Sequence, residues 1–194
     1  MIPALLFLFC VVALRVTTGL LIHSGAALWL SNFAPLAAIT LCCGAYLPRR
    51  YKFALPLSML FVSDLILNAT YHAPPFDPQI LCRYLALALI GLIGFALRKS
   101  VSWKTMLPAS VAGSVIFYGI TNVFSWLTDP GYVKNFVGLI QALTVGLPQY
   151  GATPSWMFFR NSLLSDLIFT AVFVLLMRAQ SPRTSTEVAV ARAA

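Results

Sequence analysis

Charge is scarce in this chain. Only 9% of its 194 residues are Asp, Glu, Lys or Arg, while 60% are hydrophobic; a soluble domain carries about 25% charged residues. So few charges cannot cover a water-facing surface, which excludes a soluble globular protein. Acid is scarcer still, with five Asp and Glu against thirteen Lys and Arg, a formal net charge of +8. The basic residues fall between apolar segments rather than along one face, and neither an RNP-type motif nor a basic stripe interleaved with aromatics occurs. Nucleic acid is therefore not the expected partner.

The usual signatures of chemistry are also missing. There is no Gly-rich phosphate loop, no nucleophile elbow and no His-Glu-x-x-His, so the chain cannot hydrolyse ATP by itself and is not read as an enzyme. No cofactor is assigned. The four cysteines, Cys10, Cys42, Cys43 and Cys82, lie in apolar runs without a Cys-x-x-Cys, as small buried hydrophobes do. His23 and His72 are the only histidines, and Asp77 is the only acid near either in sequence. That is too few ligands for a metal site. The N-terminus lacks the basic n-region of a secretory signal, so the apolar stretch from Ile2 to Leu14 reads as part of a retained first helix.

What the chain has in abundance is long hydrophobic runs. A membrane span needs about 20 apolar residues, with tolerance for tilt. Six segments are expected to be helical: Ile2 to Ile22, Pro35 to Tyr46, Phe53 to Ala69, Gln79 to Leu97, Met106 to Trp126 and Ser155 to Met177. Phe136 to Leu147 is apolar but too short to cross, which predicts an extra re-entrant or interfacial helix closed by Pro148. The prolines of Tyr71–Pro78 mark an exposed loop.

Basic residues gather at Arg49, Arg50 and Lys52, at Arg98, Lys99 and Lys104, and at Arg178, Arg183 and Arg192; the opposite side holds Lys134. Positive loops stay cytoplasmic. The fold expected is an all-α membrane protein, a six-transmembrane-helix bundle with both termini cytoplasmic. Residues 1–178 form a single transmembrane domain, and 179–194 a polar, mobile cytoplasmic tail.

Within those runs one tetrapeptide occurs twice, as Ser63-Asp64-Leu65-Ile66 and Ser165-Asp166-Leu167-Ile168. Each Asp lies about ten residues into its helix, roughly 15 Å deep, where a carboxylate must be paired, hydrogen-bonded or facing a wet cavity. The repeat is consistent with an old duplication into inverted halves meeting at a midplane site, and equally with convergent helix packing. Arg15, Arg83 and Arg160 lie nearer the outer helix ends, so three cations surround two deeper anions. Two readings stand side by side. The arginines could receive an anionic or planar polar ligand in a cavity opening outward. Alternatively Arg160 with Asp64 and Arg83 with Asp166 could pair only to neutralise buried charge. Thr121, Asn122 and Asn161 could line the same cavity or hydrogen-bond between helices. Trp126, Tyr132, Trp156, Phe158 and Phe159 suit an interfacial aromatic belt or an aromatic box for a flat ligand.

The order of these motifs carries a resemblance. Asn32-Phe33-Ala34-Pro35-Leu36, Arg49-Arg50, Ser63-Asp64-Leu65, Thr121-Asn122 with Trp126, Gly138-Leu139 and Phe158-Phe159-Arg160-Asn161 through Ser165-Asp166-Leu167 occur in sequence. In this the chain resembles an uncharacterised bacterial family of six-helix integral membrane proteins, a domain of unknown function. That family is similar to the substrate-binding S components of energy-coupling-factor transporters. The resemblance implies a bundle in the bacterial cytoplasmic (inner) membrane that binds a small organic molecule for uptake. A transmembrane coupling protein and ATPase subunits would supply the energy, and Asn32, Asp64, Arg83, Asn122, Arg160, Asn161 and Asp166 would line the pocket. Phe7, Phe9 and Cys10 interrupt the small residues that S components present on their first helix. The alternative is an accessory or structural subunit of a larger membrane complex, in lipid, whose Asp residues only neutralise arginines. A membrane enzyme acting on a lipid or isoprenoid ranks third.

Overall fold

A computed structural model of the chain describes residues 2–72, 74, 78–151 and 153–180. Among these residues the protein is all helical, without strands. Its helices are α1 (Ile2–His23), α2 (Leu36–Tyr46), α3 (Ala54–Thr70), α4 (Pro78–Leu97), α5 (Trp103–Thr128), α6 (Phe136–Leu143) and α7 (Ser155–Gln180). Short 3-10 turns occupy Leu28–Leu30 and Pro148–Tyr150. Among the long helices the sequence-based start differs at α5, which begins three residues earlier than expected because the Thr105 hydroxyl accepts the Ser102 backbone N–H at 3.0 Å, closing the first turn. The expected short helix is α6; it stops at Leu143 rather than running to Leu147. The tail from residue 181 onward, and Asp77, lie outside the described residues.

Four helices, α1, α4, α5 and α7, are long and apolar enough to cross a membrane. Their outward faces are apolar, as on α4, where Leu81, Leu85, Leu89 and Leu92 are exposed while Cys82, Ala86, Ile90 and Gly94 are buried. This is the helical period turned inside out, the pattern expected of helices that face lipid. α3, with 17 residues, and α2, with 11, are shorter. At 1.5 Å per residue α2 spans about 16 Å, so it does not cover the hydrocarbon unaided.

α2 is the centre of the molecule. Its residues from Ala37 to Ala45 are all buried, and it packs against α3, α4, α5 and α7. Small residues make this possible. A Cβ on Gly94 would collide with the Leu41 carbonyl, and one on Gly44 with the Gly91 carbonyl, so α2 and α4 meet backbone to backbone. The helix begins at Pro35, whose missing N–H leaves no orphan donor there. At its other end Lys52, only 4% exposed, donates from Nζ to the Gly44 carbonyl at 2.6 Å and lies over the Phe95 ring at 4.7 Å. A cation at a helix C-terminus offsets the negative end of the dipole. Burial and the neighbouring Arg98 hold this ammonium below its ordinary pKa.

The short α6 apart, successive helices run in alternate directions, and this sorts the connections to two ends. The turns Leu47–Phe53 and Arg98–Ser102 lie at one end, where Arg98 covers the Phe95 ring at 4.5 Å and Arg178 covers the Trp103 ring at 5.4 Å. The loop after α1, the start of α4, the end of α5 and the start of α7 lie at the other.

Candidate functional site

At that second end the helices part around a cavity of about 840 Å³. Small-molecule pockets commonly measure roughly 300–1,000 Å³. Its wall is contributed by α1, α2, α4, α5 and α7, by the segments that precede α2 and α7, and by the one that follows α5. The deep part presents Arg15, Arg83 and Asp166, and the wall above them Asn32, Gln79, Tyr118, Thr121 and Asn122. Ser125, Asp129, Tyr132 and Tyr150 lie nearer the mouth.

Asp64 and Asp166 are both nearly inaccessible, at 4% and 2% exposure, yet their partners differ completely. Arg15 on α1 reaches α3 with both terminal nitrogens, Nη2 donating to Asp64 Oδ1 at 2.6 Å and Nη1 to the Ser63 hydroxyl. Arg83 on α4 approaches the other oxygen, Oδ2, at 3.6 Å, a charge contact longer than a hydrogen bond. Asp166 meets no cation among the described residues. Its Oδ1 accepts the Ala38 backbone N–H at 2.9 Å and its Oδ2 the Ser114 hydroxyl at 2.7 Å. It therefore closes the N-terminus of α2 from the neighbouring helix α7, supplying the acceptor that a capping side chain normally supplies locally. Thr170, one turn on, donates to the Ser110 hydroxyl at 3.1 Å and continues the polar seam between α7 and α5.

This corrects the pairings expected from sequence. Neither Arg160 with Asp64 nor Arg83 with Asp166 forms; Asp64 takes Arg15 and Arg83 instead. Arg160 turns to its own helix, donating from Nε and Nη2 to Asn161 Oδ1 at 3.2 and 3.1 Å, with its guanidinium 5.6 Å from the Trp156 ring. So fixed, the Asn161 amide donates to the Trp29 and Ser31 carbonyls at 2.8 and 2.9 Å. Ser162 adds a bond to the Asn32 carbonyl at 3.1 Å. Asn32 itself adopts φ of 61°, a left-handed conformation that Asn tolerates better than most residues. Arg160 and Asn161 thus hold the loop that carries Asn32 to the cavity, without being part of its lining.

The chain belongs to a family of unknown function, DUF6580. The family's model matches residues 1–187, and no curated protein and no solved structure matches the chain. Membership accords with the resemblance to an uncharacterised family and brings no activity with it. What a member of this family can do must be read from the site.

Of the residues picked from the sequence, Asn32, Arg83, Asn122 and Asp166 line the cavity, and Asp64 stands behind Arg15 and Arg83. Asn122 bonds its amide to the Tyr118 carbonyl one turn back, at 2.8 Å, which leaves its amide oxygen as an acceptor. Sequence reasoning passed over Arg15 as a site residue although it counted it among the three cations. It also missed Tyr118, Ser114 and Gln79, which carry no motif.

The mouth has its own network. Asp129 accepts from the Tyr150 hydroxyl at 2.6 Å and from the Gly131 N–H at 2.8 Å. These bonds hold its carboxyl below the usual carboxylate range, with Lys134 nearby adding to the effect. Lys134 donates to the Trp126 and Asp129 carbonyls, and Trp126 Nε1 donates to the Val133 carbonyl at 2.9 Å. Beside it α6 keeps Phe136 and Val137 exposed, as an interfacial helix would. No group of three potential metal ligands occurs among the described residues. His23 stacks on Tyr71 at 4.8 Å between ring centres.

Proposed function

We propose that this protein is a substrate-binding membrane subunit for uptake of a small organic molecule, with energy supplied by separate partners. The observation that carries the reading is the polar cavity itself. A volume near 840 Å³ walled by two arginines, a carboxylate and several amides is expensive at membrane depth. A ligand that meets those groups gives the expense a use. The partners would be a transmembrane coupling protein and ATPase subunits, since the sequence has no phosphate-binding motif of its own. In this reading the chain crosses the bacterial cytoplasmic membrane six times, α3 tilted little and α2 completed by the loop before it. Both termini and the basic turns face the cytoplasm, and the cavity opens outward. No catalytic step is assigned to it.

One observation favours the alternative, an accessory subunit of a larger membrane complex. Asp64 already has two arginines, as internal neutralisation alone would require. A thermal-shift screen of vitamins and metabolites against detergent-purified protein separates the two. A ligand at a hundred times its Kd should add about 2.7 kcal/mol of stability, and Asn122→Ala should weaken its effect. If nothing in the screen raises the melting temperature, the accessory reading replaces this one.

A further inference from the structure

Among the charged groups of the deep cavity, Arg83 is the one left without full engagement. Arg15 spends both terminal nitrogens on Ser63 and Asp64. Asp166 spends both oxygens on Ala38 and Ser114. Arg83 lines the cavity, holds only the 3.6 Å contact to Asp64 Oδ2, and its buried Nε has no hydrogen-bond partner among the described residues. Asp64 Oδ2 likewise lacks a donor within hydrogen-bond distance. One carboxylate is thus divided between two guanidiniums, close to one and distant from the other. The other carboxylate is occupied with the positive end of α2. No acceptor lies within hydrogen-bond distance of the Arg83 fork among the described residues.

We infer that the ligand carries a carboxylate and that Arg83 receives it. The inference rests on the substrate-binding reading and narrows it to organic acids. Guanidinium presents parallel N–H donors that match a carboxylate in two bonds. A neutral amide would offer Arg83 one oxygen and bring no charge. An amine would find the cavity's one deep carboxylate, Asp166, already hydrogen-bonded through both oxygens. The Asn122, Tyr118 and Thr121 side of the wall remains for the body of the molecule.

The test uses the full chain in detergent and acid–amide pairs of one shape: benzoate with benzamide, nicotinate with nicotinamide, indole-3-acetate with its amide, hexanoate with hexanamide. Melting temperature is followed as each is titrated at neutral pH. At least one acid should stabilise the protein where its amide does not. Arg83→Gln should weaken that acid by roughly ten- to a hundredfold, the range for hydrogen bonds to a charged group. Arg83→Lys, which keeps charge but not the fork, should fall between and guards against a Gln variant that does not fold. Equal responses to acid and amide, or an acid response unchanged in both variants, overturn the carboxylate assignment while leaving a binding cavity. Silence from both members of every pair overturns the carboxylate assignment, and silence across the metabolite screen as well overturns substrate binding.

Discussion

Ser63-Asp64 and Ser165-Asp166 are the same local sequence in two helices, and the bundle uses them oppositely. On α3 the carboxylate answers side-chain cations arriving from α1 and α4. On α7 it answers a backbone N–H of α2 and a hydroxyl of α5. Both serines are fully buried, with exposures of 0%, but Ser63 receives Arg15 whereas the Ser165 hydroxyl has no partner among the described residues. A repeated motif inside apolar helices thus accompanies burial of the acid and leaves its partner to the neighbours.

The largest expected difference between the two comes from truncation. Asp64→Ala leaves the half-buried Arg15 and Arg83 without a counter-charge and should destabilise the protein by about 3 kcal/mol, the low end of the range for breaking a buried pair. Asp166→Ala removes acceptors from one N–H and one hydroxyl, and should cost about 1–2 kcal/mol. Unfolding of the two variants in the same detergent checks the order, and the reverse order would mean that the ion pairs are not what Asp64 contributes.

A second substitution sharpens the contrast by acting first on the Asp166 side. Gly94→Ala pushes α4 against the Leu41 carbonyl and should cost about 1–3 kcal/mol, the usual range for overpacking. It displaces α2, hence the partner of Asp166, while the short Arg15–Asp64 bond between α1 and α3 lies off the α2–α4 contact. Cys42 and Cys43, buried at 0% exposure, should then react faster with a maleimide. Unchanged labelling and an unchanged melting temperature would show that the two helices are less closely apposed.

The smallest effect is expected where a carboxylate lies outside the bundle. The Tyr150 and Gly131 bonds hold Asp129 below the ordinary carboxylate pKa, so the folded form binds that proton less readily than the unfolded chain. The contribution is complete above about pH 4 and is lost as pH falls through the lower folded value. Hydrogen exchange in the 129–150 segment should stay level from pH 7 to about pH 4.5, after correction for intrinsic rates, and rise below. Asp129→Asn should remove that acid-side rise. A rise already at pH 6 in the unaltered protein would mean that another group governs the mouth.

Much of the architecture was legible because long apolar helices announce themselves by their length and by the residues that stop them. The basic turns at Arg49–Lys52 and Arg98–Lys104 and the prolines near residue 75 divided the chain nearly where the helices end. The run Ala37-Ala38 through Cys42-Cys43-Gly44-Ala45 signals, in hindsight, a helix surrounded on all sides. Its small side chains permit the approach of α4 at Gly91 and Gly94, yet composition alone presented it as one more span. Pairing was not legible. Arg160 and Arg83 occupy similar heights along their helices, and only the rotation of each helix decides which reaches Asp64. Asn161 was seen as a polar residue in an apolar helix; that its amide would tie down Trp29 and Ser31 depends on a fold-back of the chain across some 130 positions.

The short buried helix α2 is anchored at both tips by groups of opposite sign, Asp166 at its start and Lys52 at its finish. Sliding it by a single residue would unseat both anchors together, so α2 behaves as a fixed keystone rather than a piston. Any opening or closing around the cavity then falls to the outer helices and to the Asp129–Tyr150 latch, which can swing while the middle of the molecule stands still.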